Sequence, residues 1–120
     1  MKTFSELLKK STKTNAAGQK VIELNKVFEI LESCKIEGIA LLGGDVYTES
    51  EKGIVMAHTI WGNKYHSLNW YANQEPNETD REFSHRSIRI AEKAITEIEH
   101  ISSKLKMNTY LELVFKTTSI

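Results

Sequence analysis

Apolar residues recur with two different periods along this 120-residue chain, and each change of period marks a new element. Val21, Leu24, Val27, Phe28, Leu31 and Cys34 follow the three-and-four spacing of one buried helix face, which predicts a helix over 20–34 that stops before Gly38. After Gly38 the run Ile39, Ala40, Leu41, Leu42 is continuously apolar. Gly43 and Gly44 interrupt it, and it resumes through Asp45, Val46, Tyr47 and Thr48, as expected of one long strand with a glycine bulge. Residues 54–61 read as a second strand and 64–72 as a third. Gly62 and Asn63 would be the two-residue turn between them, setting Ile60 opposite Tyr65, Ala57 opposite Leu68 and Val55 opposite Trp70. Thr79 and Glu82 have capping-box spacing and open a helix of about six turns with Phe83, Ile90, Ala91, Ile95, Ile98, Ile101 and Leu105 on one side. Residues 110–116 read as a last strand.

The expected fold is therefore α+β, with element order α-β-β-β-α-β. A three-strand antiparallel meander plus the C-terminal strand would make a mixed four-stranded sheet, covered on one face by two helices as a two-layer sandwich. The long helix would act as a right-handed crossover and bring the last strand parallel to the first, in sheet order 4-1-2-3. The opposite sheet face would stay partly open to a partner. A single domain over 1–120 is expected, with an α+β core over 20–116. Residues 1–19 would form a basic, partly mobile segment in which 4–10 make one short docked helix and 11–19 a polar tether.

Composition narrows the class without naming a function. Hydrophobic residues make up 40% and charged residues 27% of the chain, which places it with ordinary globular domains. Cys34, the one cysteine, excludes an internal disulfide and suits a reducing compartment. No leader-like or membrane-spanning apolar run is present, so a cytoplasmic protein is expected. Net charge is zero but uneven. Lys2, Lys9, Lys10, Lys13 and Lys20 face a lone Glu6 in the first twenty residues, and the remainder is acidic. Seven acidic residues against three basic ones between Gly43 and Glu82 argue against a nucleic-acid partner.

Three groups of residues are candidates for chemistry. His58, His66, His85 and His100 match no local metal-ligand spacing; an enzyme reading would need Asp45 to share a cleft with His58, His66 or His85. Gly43-Gly44-Asp45 lacks the third glycine and the following Lys-Ser/Thr of a phosphate loop, and fits a strand bend better. Tyr47, Trp61, Tyr65, Trp70 and Tyr71 cluster on the meander, and Trp70 and Tyr71, being consecutive, must point to opposite faces. Aromatic side chains edged by Asp45, Glu49 and Glu51 have the composition of a protein-binding surface, so Asp45, Tyr47, Glu49, Glu51, Trp70 and Tyr71 are the candidate partner-binding residues.

The segment Leu42-Gly43-Gly44-Asp45-Val46-Tyr47, followed by Asn69-Trp70-Tyr71 and a helix carrying Arg86, Ser87 and Ala91, resembles the immunity protein 40 family of bacterial polymorphic-toxin systems over about 36–115. That resemblance implies a small bacterial cytoplasmic protein that binds and neutralises a cognate polymorphic or contact-dependent toxin, with no catalysis and no cofactor; the histidine spacing adds the expectation of no metal site. A basic nuclease toxin would suit the acidic loops. No nucleic-acid or membrane partner is expected, and the protein should be a monomer or weak dimer.

Overall fold

The computed structural model describes residues 3–116. In chain order the elements are α1 (Phe4–Ser11), β1 (Thr12–Thr14), β2 (Lys20–Glu23), α2 (Leu24–Glu37), β3 (Leu41–Ser50), β4 (Gly53–Met56) and α3 (Ala57–Trp61). A 3-10 helix (Asn63–Leu68), β5 (Trp70–Tyr71), α4 (Asp80–Leu105) and β6 (Thr109–Phe115) follow. The fold is α+β, as expected, but the sheet has six strands in the order β1-β2-β6-β3-β4, with β5 on β3 beside β4, and every pairing is antiparallel. The last strand does lie beside the first strand of the meander, yet the expected mixed sheet is not formed.

That correction traces to residues 57–68. The predicted second strand ends at Met56, because only Tyr47–Ser50 of β3 is left to pair with it; Gly43 and Gly44 are taken by Tyr71 and Trp70. Ala57, Ile60 and Trp61 also have helical spacing, so the same apolar run closes into α3, whose end is set by Gly62 at φ 122°. Gly62-Asn63 is thus a helix-to-helix joint and not a hairpin turn. The Ile60–Tyr65, Ala57–Leu68 and Val55–Trp70 pairs are absent. The two short helices return the chain to the same edge of β3 in the direction of β4, so that β5 also runs antiparallel to β3. The crossover through α4 then delivers β6 in that same direction, antiparallel to β3.

The predicted helix over 20–34 divides at Glu23. Val21 and Ile22 are adjacent and both buried, which a strand covered on two faces achieves and a one-sided helix does not. Val27, Leu31 and Cys34 remain on the buried side of α2, and Gly38 closes the helix at φ 70° by donating its N–H to the Cys34 carbonyl. The expected tether is largely a hairpin: β1 pairs with β2 around a turn organised by buried Asn15, whose Oδ1 accepts from the backbone N–H groups of Ala17 (3.0 Å) and Gln19 (2.9 Å). α1 forms where expected, with the Thr3 hydroxyl accepting from the Glu6 N–H and Leu7 buried.

α2 and α4 pack together on the inner sheet face, over Ile22, Leu41, Val46 and Leu111. α4 opens with the full Thr79–Glu82 capping box and runs for 26 residues, about 39 Å. By strand alternation the outer face carries Val21 and Glu23 of β2, Tyr110, Glu112 and Val114 of β6, Gly43, Asp45, Tyr47 and Glu49 of β3, and Tyr71 of β5. This face is only partly open. The β1–β2 turn leans across it, and Ala16 N–H donates to the Ile54 carbonyl of β4 at 2.8 Å, burying Val21, Tyr47 and Tyr110 beneath.

Candidate partner-binding surface

The paired glycines of β3 exist to receive β5. A Cβ on Gly43 would lie 2.5 Å from the Trp70 carbonyl oxygen. One on Gly44 would overlap Trp70 Cη2 and stand 2.7 and 2.9 Å from Cζ3 and Cζ2. Asn69 fills the gap between β4 and β5 by accepting from the Val46 N–H through its side-chain Oδ1 at 2.8 Å, and Ala72 N–H donates to the Leu42 carbonyl at 2.8 Å. The start of β3 is tied to α4 in the same manner. Ser87 Oγ accepts from the Leu41 N–H (3.0 Å) and donates to the Ser84 carbonyl (2.9 Å), while Ser84 Oγ donates to the Ile39 carbonyl (3.1 Å). Arg86 grips both oxygens of Glu78 at 2.7 Å and the Asn73 carbonyl at 2.6 Å. Its guanidinium holds the Glu78 carboxyl down to about 2.

Of the aromatic candidates, two are committed to packing. Tyr47 is buried under the β1–β2 turn, where burial and then the neighbouring Glu112 carboxylate push its phenol up to about 12. Its hydroxyl donates to Glu112 Oε1 at 3.2 Å. Trp70 is half-buried with its ring on Gly44. Its indole N–H, like that of Trp61, is buried with no hydrogen-bond partner. Tyr71 faces the other way and is 80% exposed.

The acidic candidates fall into two places. Asp45 sits mid-sheet on the outer face, directly opposite Glu112 of β6. Glu49 and Glu51 lie at the far end of β3 and in its turn to β4; both are exposed, and Glu49 accepts from Asn108 Nδ2 at 2.8 Å. Glu49 also borders a groove of about 530 Å³ with Lys13, Glu23, Glu99 and Tyr110. Lys13 bonds Glu23 at 2.6 Å there, and that hydrogen bond raises the lysine's pKa. Glu23 and Glu99 were not singled out in the sequence; they reach the groove from β2 and α4, and no local spacing reports such a meeting.

The enzyme candidates are brought together only in part. His58 and His66 do meet, edge to face with ring centroids 4.6 Å apart, because α3 and the 3-10 helix pack side by side. Asp45 makes no hydrogen bond or ion pair with any of His58, His66 and His85. Among the described residues no three His, Cys, Asp or Glu side chains are arranged to hold a metal ion. Cys34 is buried in the core, and desolvation pushes its thiol up to about 12. No helix among the described residues is long and apolar enough to cross a membrane.

Neither curated proteins nor solved structures gave a match to this chain. A protein-family model did: immunity protein 40 matches residues 14–115, a span that runs from the end of β1 to the end of β6 and contains both the glycine pair of β3 and the Asn69-Trp70-Tyr71 segment that locks onto it. The chain belongs to the immunity protein 40 family.

Proposed function

We propose that this protein acts in the bacterial cytoplasm as a single-domain monomer or weak dimer that binds a cognate polymorphic or contact-dependent toxin and neutralises it by direct contact, without catalysis. The observation that carries this reading is the family match over 14–115. The surface supports it. Glu49 and Glu51 project at one end of β3, beside a groove that adds Glu23 and Glu99 against a single lysine, Lys13. Such a field draws in a basic partner, a nuclease domain being one example, and accelerates encounter more than it strengthens the final complex.

Co-expression with the toxin encoded alongside it should restore growth, and the purified pair should co-elute. Exchanging Glu49 and Glu51 for lysine should leave the fold intact, since both side chains are exposed. Association with the toxin should slow, most strongly at low salt where screening is weakest. Failure of the wild-type pair to associate or to protect cells would overturn the reading. An unchanged association rate in the double variant would remove the acidic end from it.

A further inference from the structure

The middle of the outer sheet face carries an arrangement that folding alone disfavours. Asp45 and Glu112 stand directly opposite each other on adjacent antiparallel strands. Opposed side chains in such a pair have Cβ atoms roughly 4.5–5.5 Å apart, and like charges there destabilise the sheet. No cation among the described residues pairs with either. Glu112 accepts one hydrogen bond, from Tyr47, and Asp45 accepts none.

The row beside them is apolar, with exposed side chains on either side of a buried Gly43. Gly43 pairs with Val114 on one side and Tyr71 on the other, so the two side chains flank a position that has none. Tyr71 is 80% and Val114 49% exposed, two of the four most exposed large apolar residues described. The β1–β2 turn covers Val21, Tyr47 and Tyr110, while Tyr71 and Val114 stay exposed.

We propose that this patch is the anchoring centre of the toxin interface. An arginine or lysine of the toxin would enter between Asp45 and Glu112, with its aliphatic stem laid against the exposed side chains of Tyr71 and Val114. The chemistry selects that occupant. Two unpaired carboxylates a few ångströms apart match one guanidinium or ammonium, and an aromatic ring beside them matches the stem and the cation face. Repulsion between Asp45 and Glu112 in the free protein is relieved only when a cation arrives, so part of the stability forgone in the monomer returns in the complex. This inference rests on the toxin-binding reading and adds to it the central contact, distinct from the steering charges at Glu49 and Glu51.

The test pairs binding with stability. Asp45→Lys replaces the like-charge pair by an opposite-charge pair with Glu112, so the variant should melt a few degrees higher than wild type. Its dissociation constant for the catalytically inactivated toxin domain should nevertheless rise about tenfold or more, the loss typical of a buried anchor. Tyr71→Ser should keep the melting temperature and speed dissociation. Glu97→Lys, the same charge reversal on exposed α4, serves as control and should change neither. Wild type binding with both surface variants matching the control would overturn the anchoring centre and leave the toxin reading standing. A wild type that does not bind would overturn the toxin reading, and the anchor with it.

Discussion

Gly44→Ala adds one methyl group at the tightest contact in the sheet, and the structure sets its cost. The new carbon would lie 2.7 and 2.9 Å from Trp70 Cζ3 and Cζ2 and closer still to Cη2, whereas carbon pairs prefer about 3.5–4.0 Å. The ring therefore has to move by close to 1 Å. It cannot do so freely, because Trp70 is part of a two-residue strand fixed to Gly43 and Gly44 and held on one side by Asn69 on the Val46 N–H. Overpacking of this kind costs about 1–3 kcal/mol, and the upper half of that range fits a rigid ring on a short strand. For a chain of this size the melting temperature should drop by about 6–12 °C. Thermal and urea unfolding followed by circular dichroism would measure it, and a double-mutant cycle with Trp70→Leu isolates the contact. In the Trp70→Leu background the alanine should cost less by about 1 kcal/mol or more. A Gly44→Ala variant that melts within a degree of wild type, or a cycle with no coupling, would refute the claim that these glycines serve the ring.

Ser87→Ala should cost about 1–3 kcal/mol in urea unfolding, since it leaves the buried Leu41 N–H without its acceptor while removing only one oxygen atom. Arg86→Gln tests the clamp on Glu78 through pH. The carboxyl is held well below its ordinary 4.5, down to about 2, so its stabilising share is full above about pH 4.5 and disappears as pH falls toward 2. The gap in melting temperature between wild type and Arg86→Gln should accordingly be widest near neutral pH and shrink across that acid window; a gap constant from pH 6 to pH 2 would assign the stability of this corner to something other than the ion pair.

Long periodic segments were legible in the sequence, and short ones were not. The twenty-six residues of α4 display seven turns of one apolar stripe and a complete capping box, so local signals and tertiary contacts agree. β3 was equally visible because Ile39–Leu42 must be buried on both sides. Residues 54–61 carry eight apolar-rich positions that satisfy a period of 2 and a period of 3.6 alike, and the choice was made by how much of β3 remained to pair with. Val21 misled for the same reason: its spacing to Leu24 fits a helix, but its burial comes from the outer face of β2, under a turn built by Asn15. The His58–His66 contact came through two helices where a hairpin was expected. Asp45 and Tyr71 could be named as partner-binding candidates, but Glu112 and Val114 could not. Their place beside Asp45 and Gly43 depends on the antiparallel register of β6, which no local pattern encodes.

The residues that carry the resemblance in the sequence are mostly those that build this sheet. Gly43 and Gly44 admit β5, Asn69 and Trp70 complete its seat, Tyr47 is buried, and Ser87 and Arg86 fasten the edge to α4. A substitution at any of them changes stability before it changes recognition, so such variants cannot map an interface. Asp45 and Tyr71 differ from their neighbours in the same motif, because the Asp45 carboxylate makes no hydrogen bond or ion pair and Tyr71 is 80% exposed. Gly43 connects the two roles. The fold forbids a side chain there, since a Cβ would strike the Trp70 carbonyl, so Tyr71 and Val114 flank a gap in the row of side chains whose backbone floor is itself buried. In the proposed complex the recognition site is thus a by-product of how β5 is seated, and specificity for one toxin over another would be set by the residues around that gap, at Asp45, Tyr71, Glu112 and Val114, which can change without disturbing the seat.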